Sequence, residues 1–410
     1  MTFVFEDCAL HCDRRELYRK GMVTHVEPQV FDVLAHLVRH RNRVVSKDEL
    51  IRVVWAGRFV SDDTLTSRVS AARRAIGDTG ADQRLIRTVA RRGFRFVADV
   101  QDMSNRDVTS SGAEQPAADT TDVPQRIRYC QASDGVHLAV AITGRGMPLV
   151  KTANWLNHLE FDWHSPVWSP LFGRLASQCT LVRYDERGTG LSDRDVADFS
   201  FESFVHDLAT VVDEFGLQRF ALLGISQGAP VSIAYAVRHP ERVSRLVLCG
   251  GFAKGWRKRA NPGEVARAEA SVTLIREGWG QDNPAARQMF TSLIVPGATH
   301  EEMRWFNELE QLSASAETAI RLLHVLGDID VTELLPQVTV PTLVLHSRND
   351  ARVPFEHGMM LARGIADARF VPLESKNHLI LSHEPAWQRF IEEICGFLNE
   401  DEPQPLTAAI

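Results

Sequence analysis

Gly224-Ile225-Ser226-Gln227-Gly228 sets one hydroxyl between two glycines, after the apolar run Phe220-Ala221-Leu222-Leu223 and before a helix-like stretch at residues 229–239. A strand, tight turn and helix in that order hold a serine in a strained conformation with its Oγ above the sheet, because the glycines let strand and helix approach without a Cβ clash. The next N–H, on Gln227, then faces the position where an oxyanion would form in acyl transfer. The chemistry predicted is nucleophilic attack by Ser226, which needs a base and an acid to orient that base.

Both partners are expected downstream, acid before histidine, at the carboxyl ends of later strands. Residues 341–346 read as a buried strand with Asp350 just past its end, and residues 368–373 read as the next strand, followed by His378. Alone, an Asp there could be a turn former and a His a solvated loop residue. Order and placement together point to Ser226 as nucleophile, His378 as base and Asp350 as the group fixing the imidazole tautomer. Glu374 and His383 are neighbouring alternatives; Glu374 adjoins the strand directly and His383 opens the last helical region.

With Tyr184-Asp185-Glu186-Arg187-Gly188-Thr189-Gly190-Leu191-Ser192, a run similar to D-x-R-G-x-G-x-S, these motifs resemble the α/β-hydrolase family over about residues 125–399. The resemblance implies an α/β fold, with this run as a glycine-shaped turn bordering the site. Many members carry His-Gly after the third strand, where this chain has Ala153-Asn154. A backbone N–H does not depend on side-chain type, so the Trp155 and Gln227 N–H groups are the implied oxyanion donors. Residues 251–336 leave the strand-helix alternation for helical segments, an insertion that in this fold forms a lid. Trp155, Phe161, Trp163, Trp256, Trp279, Phe290, Trp305 and Phe306 are expected to line an apolar cavity, with Trp168, Met289 and Met303 as further members.

These 410 residues suggest two domains, and 44% hydrophobic with 24% charged residues is ordinary for a globular protein. No apolar stretch approaches the roughly 20 residues of a membrane helix. The opening residues lack a basic start and a long apolar core, so no secretory signal is expected. Six cysteines without a C-x-x-C pair fit reduced thiols and a cytoplasmic location. The net charge of −7 conceals an asymmetry. Residues 1–100 hold 18 Lys/Arg against 13 Asp/Glu, a net of +5; the remainder holds 28 against 40, a net of −12. Only the first part has the balance to meet a polyanion.

That first part reads as three helices and a basic hairpin, a winged helix. Helical spacing runs from Pro28 to His40, Ser46-Lys47-Asp48-Glu49 is a capping box for a second helix, and Ser61 or Asp62 caps a third. The third turns Leu65, Val69, Ala72 and Ile76 to one side and Thr64, Ser67, Arg68, Ser70 and Arg74 to the other, with Arg73 at the edge. Residues 85–89 and 94–97 flank the cationic turn Ala90-Arg91-Arg92-Gly93. About residues 3–99 resemble the OmpR/PhoB-type DNA-binding domain. The resemblance implies a third helix in the major groove and a wing on the backbone, making Thr64, Ser67, Arg68, Arg73, Arg74, Arg91 and Arg92 the candidate contacts to double-stranded DNA.

The expected order is a winged helix at 1–100, a flexible linker at 101–124, a hydrolase-type domain at 125–400 with its lid at 251–336, and a tail at 401–410. Neither cofactor nor metal is expected, the histidines being scattered without ligand spacing. The function so implied is a transcriptional regulator whose hydrolase-type domain binds and cleaves a small apolar ester, lactone or amide. The alternatives are a receptor using the pocket only for sensing, and a hydrolase that DNA binding merely localises. Tandem half-sites would suit a homodimer.

Overall fold

The computed structural model describes residues 2–12, 16–20, 22–24, 26–41, 43–54, 62–80, 82–89, 92–98, 100–102, 125–259, 262–281 and 283–400. Residues 103–124 of the expected linker, the tail at 401–410, Ser61 and Arg91 lie outside them. The chain divides into two units, Met1–Glu114 and Gln115–Ile410.

In the first unit, β1 (Thr2–Phe5), β2 (Cys8–His11), β3 (Glu16–Arg19) and β4 (Met22–Thr24) are followed by α1 (Pro28–Arg39), α2 (Lys47–Val54) and α3 (Asp62–Ala75). The hairpin of β5 (Ile86–Val89) and β6 (Gly93–Phe96) and the short β7 (Gln101–Asp102) complete it. The antiparallel sheet β4-β3-β2-β1-β7 sends Phe3, Phe5, Leu10 and Leu17 into one core with Leu34 and Leu37 of α1, Leu65, Val69 and Ala72 of α3, and Ile76 just past its end. Pro28 opens α1, where its missing N–H leaves nothing unsatisfied. Only half of the predicted capping box forms: Glu49 N–H donates to Ser46 Oγ at 3.1 Å, while the Glu49 carboxylate turns to Arg43.

The second unit is an eight-stranded sheet, ordered β15-β14-β13-β12-β10-β11-β9-β8. Its strands are β8 (Arg126–Gln131), β9 (His137–Gly144), β10 (Met147–Lys151), β11 (Cys179–Tyr184), β12 (Phe220–Ile225), β13 (Val243–Cys249), β14 (Thr342–Ser347) and β15 (Ala368–Leu373). The pairs β8–β9 and β9–β11 are antiparallel and the rest parallel. The helices are α4 (Leu159–Trp163), α5 (Ser169–Ala176), α6 (Phe201–Glu214), α7 (Gly228–Arg238), α8 (Pro262–Gly278), α9 (Ala285–Ile294), α10 (His300–Ser313), α11 (Ala316–Asp328), α12 (Phe355–Gly364) and α13 (Ala386–Asn399). α6 packs on α7, and α13 on α5; with α12 these helices cover the sheet, so β12 and β14 are buried along their whole length and read as apolar runs. The insertion α8–α11 lies between β13 and β14.

One ion pair joins the turn after β11 to α6. The Arg187 guanidinium, 1% exposed, donates to both Asp207 oxygens at 2.6 and 2.8 Å, and to Asp134 Oδ2 at 2.6 Å. Asp207→Ala would leave a buried cation with only the more exposed Asp134 as its anion. We expect a loss of about 3–5 kcal/mol in denaturant unfolding, against about 1 kcal/mol for Asp134→Ala.

Candidate functional site

Ser226 occupies the turn from β12 into α7 with φ +54°, a left-handed conformation rare for a non-glycine residue. Two glycines make that turn feasible. A Cβ on Gly224 would lie 2.7 Å from the Gly228 carbonyl oxygen, and one on Gly228 would lie 3.0 Å from the Ala153 carbonyl oxygen. The elbow is therefore packed against both α7 and the loop after β10. Ser226 N–H donates to the Cys249 carbonyl at 2.9 Å, which ties it to β13, and its side chain opens onto a cavity of about 180 Å³.

Asp350 and His378 come together at the ends of β14 and β15. His378 Nδ1 lies 2.6 Å from Asp350 Oδ2, and both side chains are buried. Asp350 Oδ1 accepts the N–H groups of Arg352 and Val353 at 2.8 and 2.9 Å. Burial alone would raise the Asp350 pKa, but His378 and these N–H groups hold it below the usual carboxylate range. The carboxylate is thus set to orient an imidazole. His378 lines the same cavity as Ser226, yet among the described residues its Nε2 has no hydrogen-bond partner. The two neighbouring alternatives point elsewhere: Glu374 pairs with Arg348 at 2.6 Å, and His383 with Glu302 at 3.1 Å.

Trp155 lines the cavity and Gln227 follows Ser226 in the elbow, and neither N–H donates a hydrogen bond among the described residues. Side chains beneath them hold their positions. The buried Lys151 ammonium donates to Asn154 Oδ1 and sits 5.1 Å from the centre of the Trp168 ring. Gln227 Nε2 donates to both Glu186 oxygens at 2.7 Å. Burial pushes Glu186 up to about 8, against the pull of the Gln227 hydrogen bond. The motifs alone do not single out Lys151 or Glu186. The available signal was a lysine closing the buried strand β10, and a second acid beside Asp185.

Trp155, Trp256 and Phe306 line the cavity. The remaining predicted aromatics do not. Phe290 stacks on Trp155 with centroids 6.0 Å apart, while Trp279 gives its N–H to the Ala314 carbonyl at 3.0 Å. Trp163 packs with Phe172 under Arg183, and Phe161 stacks on Trp305 at 4.4 Å. Helical spacing identifies a buried face; it does not say whether that face meets the core or the void. Nor is the wall purely apolar, since Arg259, Glu264, Arg267 and Arg352 contribute to it.

In the first unit, Ser67, Arg74 and Arg92 are exposed, and Thr64 is half-buried. Arg68 pairs with Glu27 at 2.5 Å. Arg73 departs from the expectation. It is 6% exposed and donates to the Ile86 carbonyl at 2.8 and 3.0 Å and to Thr88 Oγ1 at 2.9 Å, so it fastens α3 to the hairpin and faces no ligand. The histidines are also less scattered than the sequence suggested. His36 in the last turn of α1 and its C-cap His40 meet Glu49, and their potential ligand atoms lie within 4.8 Å of one another. Arg43 already holds both Glu49 oxygens, at 2.6 and 2.8 Å.

Glu186 makes a pH-dependent contribution. A carboxyl group whose pKa rises on folding contributes stability that is complete below its ordinary value of 4.5 and is lost as pH climbs to about 8. Glu186→Gln removes that titration. The fall in Tm across this interval should therefore be shallower in the variant than in the parent, as read by thermal unfolding at stepped pH; parallel profiles would refute the assignment.

Comparison with known proteins agrees with this architecture. The family described as "alpha/beta hydrolase fold" matches residues 155–385, more than half of the chain, and "Transcriptional regulatory protein, C terminal" matches residues 21–96. The AB hydrolase superfamily protein YisY of Bacillus subtilis (strain 168) is 29% identical over 257 residues, 61% of this chain and 91% of its own. Among solved structures, an esterase (EaEST) from Exiguobacterium antarcticum aligns with a TM-score of 0.56 at 24% identity, covering 66% of this chain and 99% of its own. A hydrolase from Pseudomonas aeruginosa PA01 gives 0.56 at 22%, with 67% and 98% covered. Likeness at those identities speaks for the fold. The chain belongs to the alpha/beta hydrolase fold family and carries, ahead of that fold, a regulatory DNA-binding domain of the OmpR/PhoB type.

Proposed function

We propose that this protein is a DNA-binding regulator whose hydrolase domain cleaves a small ester, lactone or amide through an acyl-enzyme on Ser226. The observation that carries the reading is the buried His378–Asp350 pair at 2.6 Å, opening with Ser226 onto one cavity. Ser226 Oγ attacks the carbonyl carbon as its proton passes to His378 Nε2, and Asp350 stabilises the imidazolium. The tetrahedral oxyanion is met by the N–H groups of Trp155 and Gln227. Its collapse expels the alcohol or amine, which takes the proton from Nε2. Water then adds to the acyl carbon, giving a proton to His378, and the acid leaves as Oγ recovers it. The helices α8–α11 serve as the lid over this cavity.

A second reading, a receptor without turnover, draws on the unpartnered His378 Nε2. In either case ligand alters DNA affinity only if it binds two states of the protein unequally. Work on DNA would place the protein in the cytoplasm.

A fluorophosphonate serine trap followed by intact-mass measurement separates the two. Catalysis requires a single adduct that Ser226→Ala abolishes; a folded protein that takes up none is a receptor. For DNA, Arg74→Ala should weaken binding and reduce the slope of log affinity against log salt by about 1. Arg73→Ala should instead lower the Tm of the winged helix, because its lost partners are backbone and Thr88 rather than phosphate.

A further inference from the structure

Guanidinium groups outnumber carboxylates in the wall of the cavity beside Ser226. Three guanidinium groups, Arg259, Arg267 and Arg352, share its wall with one carboxylate, Glu264. Arg259 is accounted for: it lies 3.3 Å from Glu264 Oε2, donates to the Lys254 carbonyl at 2.7 Å and covers the Phe252 ring at 5.4 Å. Arg352 is different. Among the described residues its side chain makes no hydrogen bond or ion pair, and only its backbone N–H is engaged, with Asp350. Asp350 cannot serve as its counter-ion as well, since that carboxylate already binds His378 and two N–H groups. Burial and the neighbouring charge of Arg259 press the Arg352 pKa down, against the pull of the Asp350 and Glu310 carboxylates.

The Arg352 side chain is half-buried at the cavity wall, and a guanidinium that no described side chain pairs there is a natural site for a ligand anion. The planar guanidinium fork matches a carboxylate through two parallel hydrogen bonds. Arg352 also stands two residues from Asp350, on the loop that supports His378, so such an anion would be fixed relative to the reacting carbonyl.

We propose that the acyl compound bound here carries a free carboxylate remote from the reacting carbonyl, and that the Arg352 guanidinium anchors it. This deepens the reading of Ser226 as a nucleophile and adds a charged group to the expected apolar ligand.

The test uses the full chain and a pair of esters differing only in charge, mono-p-nitrophenyl adipate and its methyl-blocked counterpart, methyl p-nitrophenyl adipate. We expect kcat/KM to favour the acid by tenfold or more. Arg352→Met should bring that ratio close to one, and Arg352→Lys should keep part of it, with Tm reporting that both variants fold. A ratio near one in the parent, or one that Arg352→Met leaves unchanged, overturns the anchor. Calorimetry with monomethyl and dimethyl adipate on Ser226→Ala keeps the two readings apart. If there is no turnover and no fluorophosphonate adduct, but the acid binds tenfold tighter than the diester and loses that advantage in Arg352→Met, catalysis fails and the anchor stands. Equal or absent binding of the acid overturns the anchor whatever Ser226 does.

Discussion

The hydrolase unit depends on a close approach. Ser226 keeps a left-handed backbone, costing on the order of 1–2 kcal/mol, because Gly224 and Gly228 leave no Cβ between β12 and α7. The same absence lets the loop after β10 settle against the helix. Thr152 N–H donates to the Leu223 carbonyl at 3.0 Å, and the Thr152 and Ser232 hydroxyls meet at 2.7 Å. Ser232 Oγ in turn donates to the Gly228 carbonyl at 2.7 Å. Ser226 and the Trp155 and Gln227 N–H groups are thereby held by one packed junction of elbow and loop.

Beneath that turn runs a layer of buried charge. Asp185 accepts hydrogen bonds from Asn157 at 2.6 Å and from the N–H groups of Leu159 and Leu191 at 3.1 and 2.7 Å, which fastens the loop after β10 to the turn after β11. Arg187 continues the connection to α6, and Glu186 to the elbow through Gln227. Such groups are stable out of water only while each keeps its partners, so they specify where the loops lie more than they add to stability. Arg352 stands apart from this layer, at the cavity wall, where its side chain makes no hydrogen bond or ion pair among the described residues. A cation that no described side chain pairs at the cavity wall is where the proposed ligand anion would be received.

The winged-helix unit shows the same distinction on a smaller scale. Arg73 and Arg74 are adjacent in sequence and both basic, yet one is a structural donor to β5 and the other lies on the exposed face of α3. Charge counting assigns both to DNA. The rotation of a helix, 100° per residue, separates them.

Much of this was legible in sequence because it rests on local, periodic or backbone-level constraints. Gly-x-Ser-x-Gly after an apolar run dictates an elbow, the Leu65, Val69, Ala72 and Ile76 stripe dictates a buried helix face, and the apolar runs ending before Asp350 and His378 dictate strands. What only the tertiary structure decided are relations between residues distant in the chain. These include the His378–Asp350 contact across 28 residues, the Glu186–Gln227 link across 41, and which aromatics of α8–α11 meet the void. The wall of charge at the cavity belongs to the same group. Periodicity specifies which face of an element is buried, while the neighbour across that face, and whether it is protein or empty space, is set by how the elements pack.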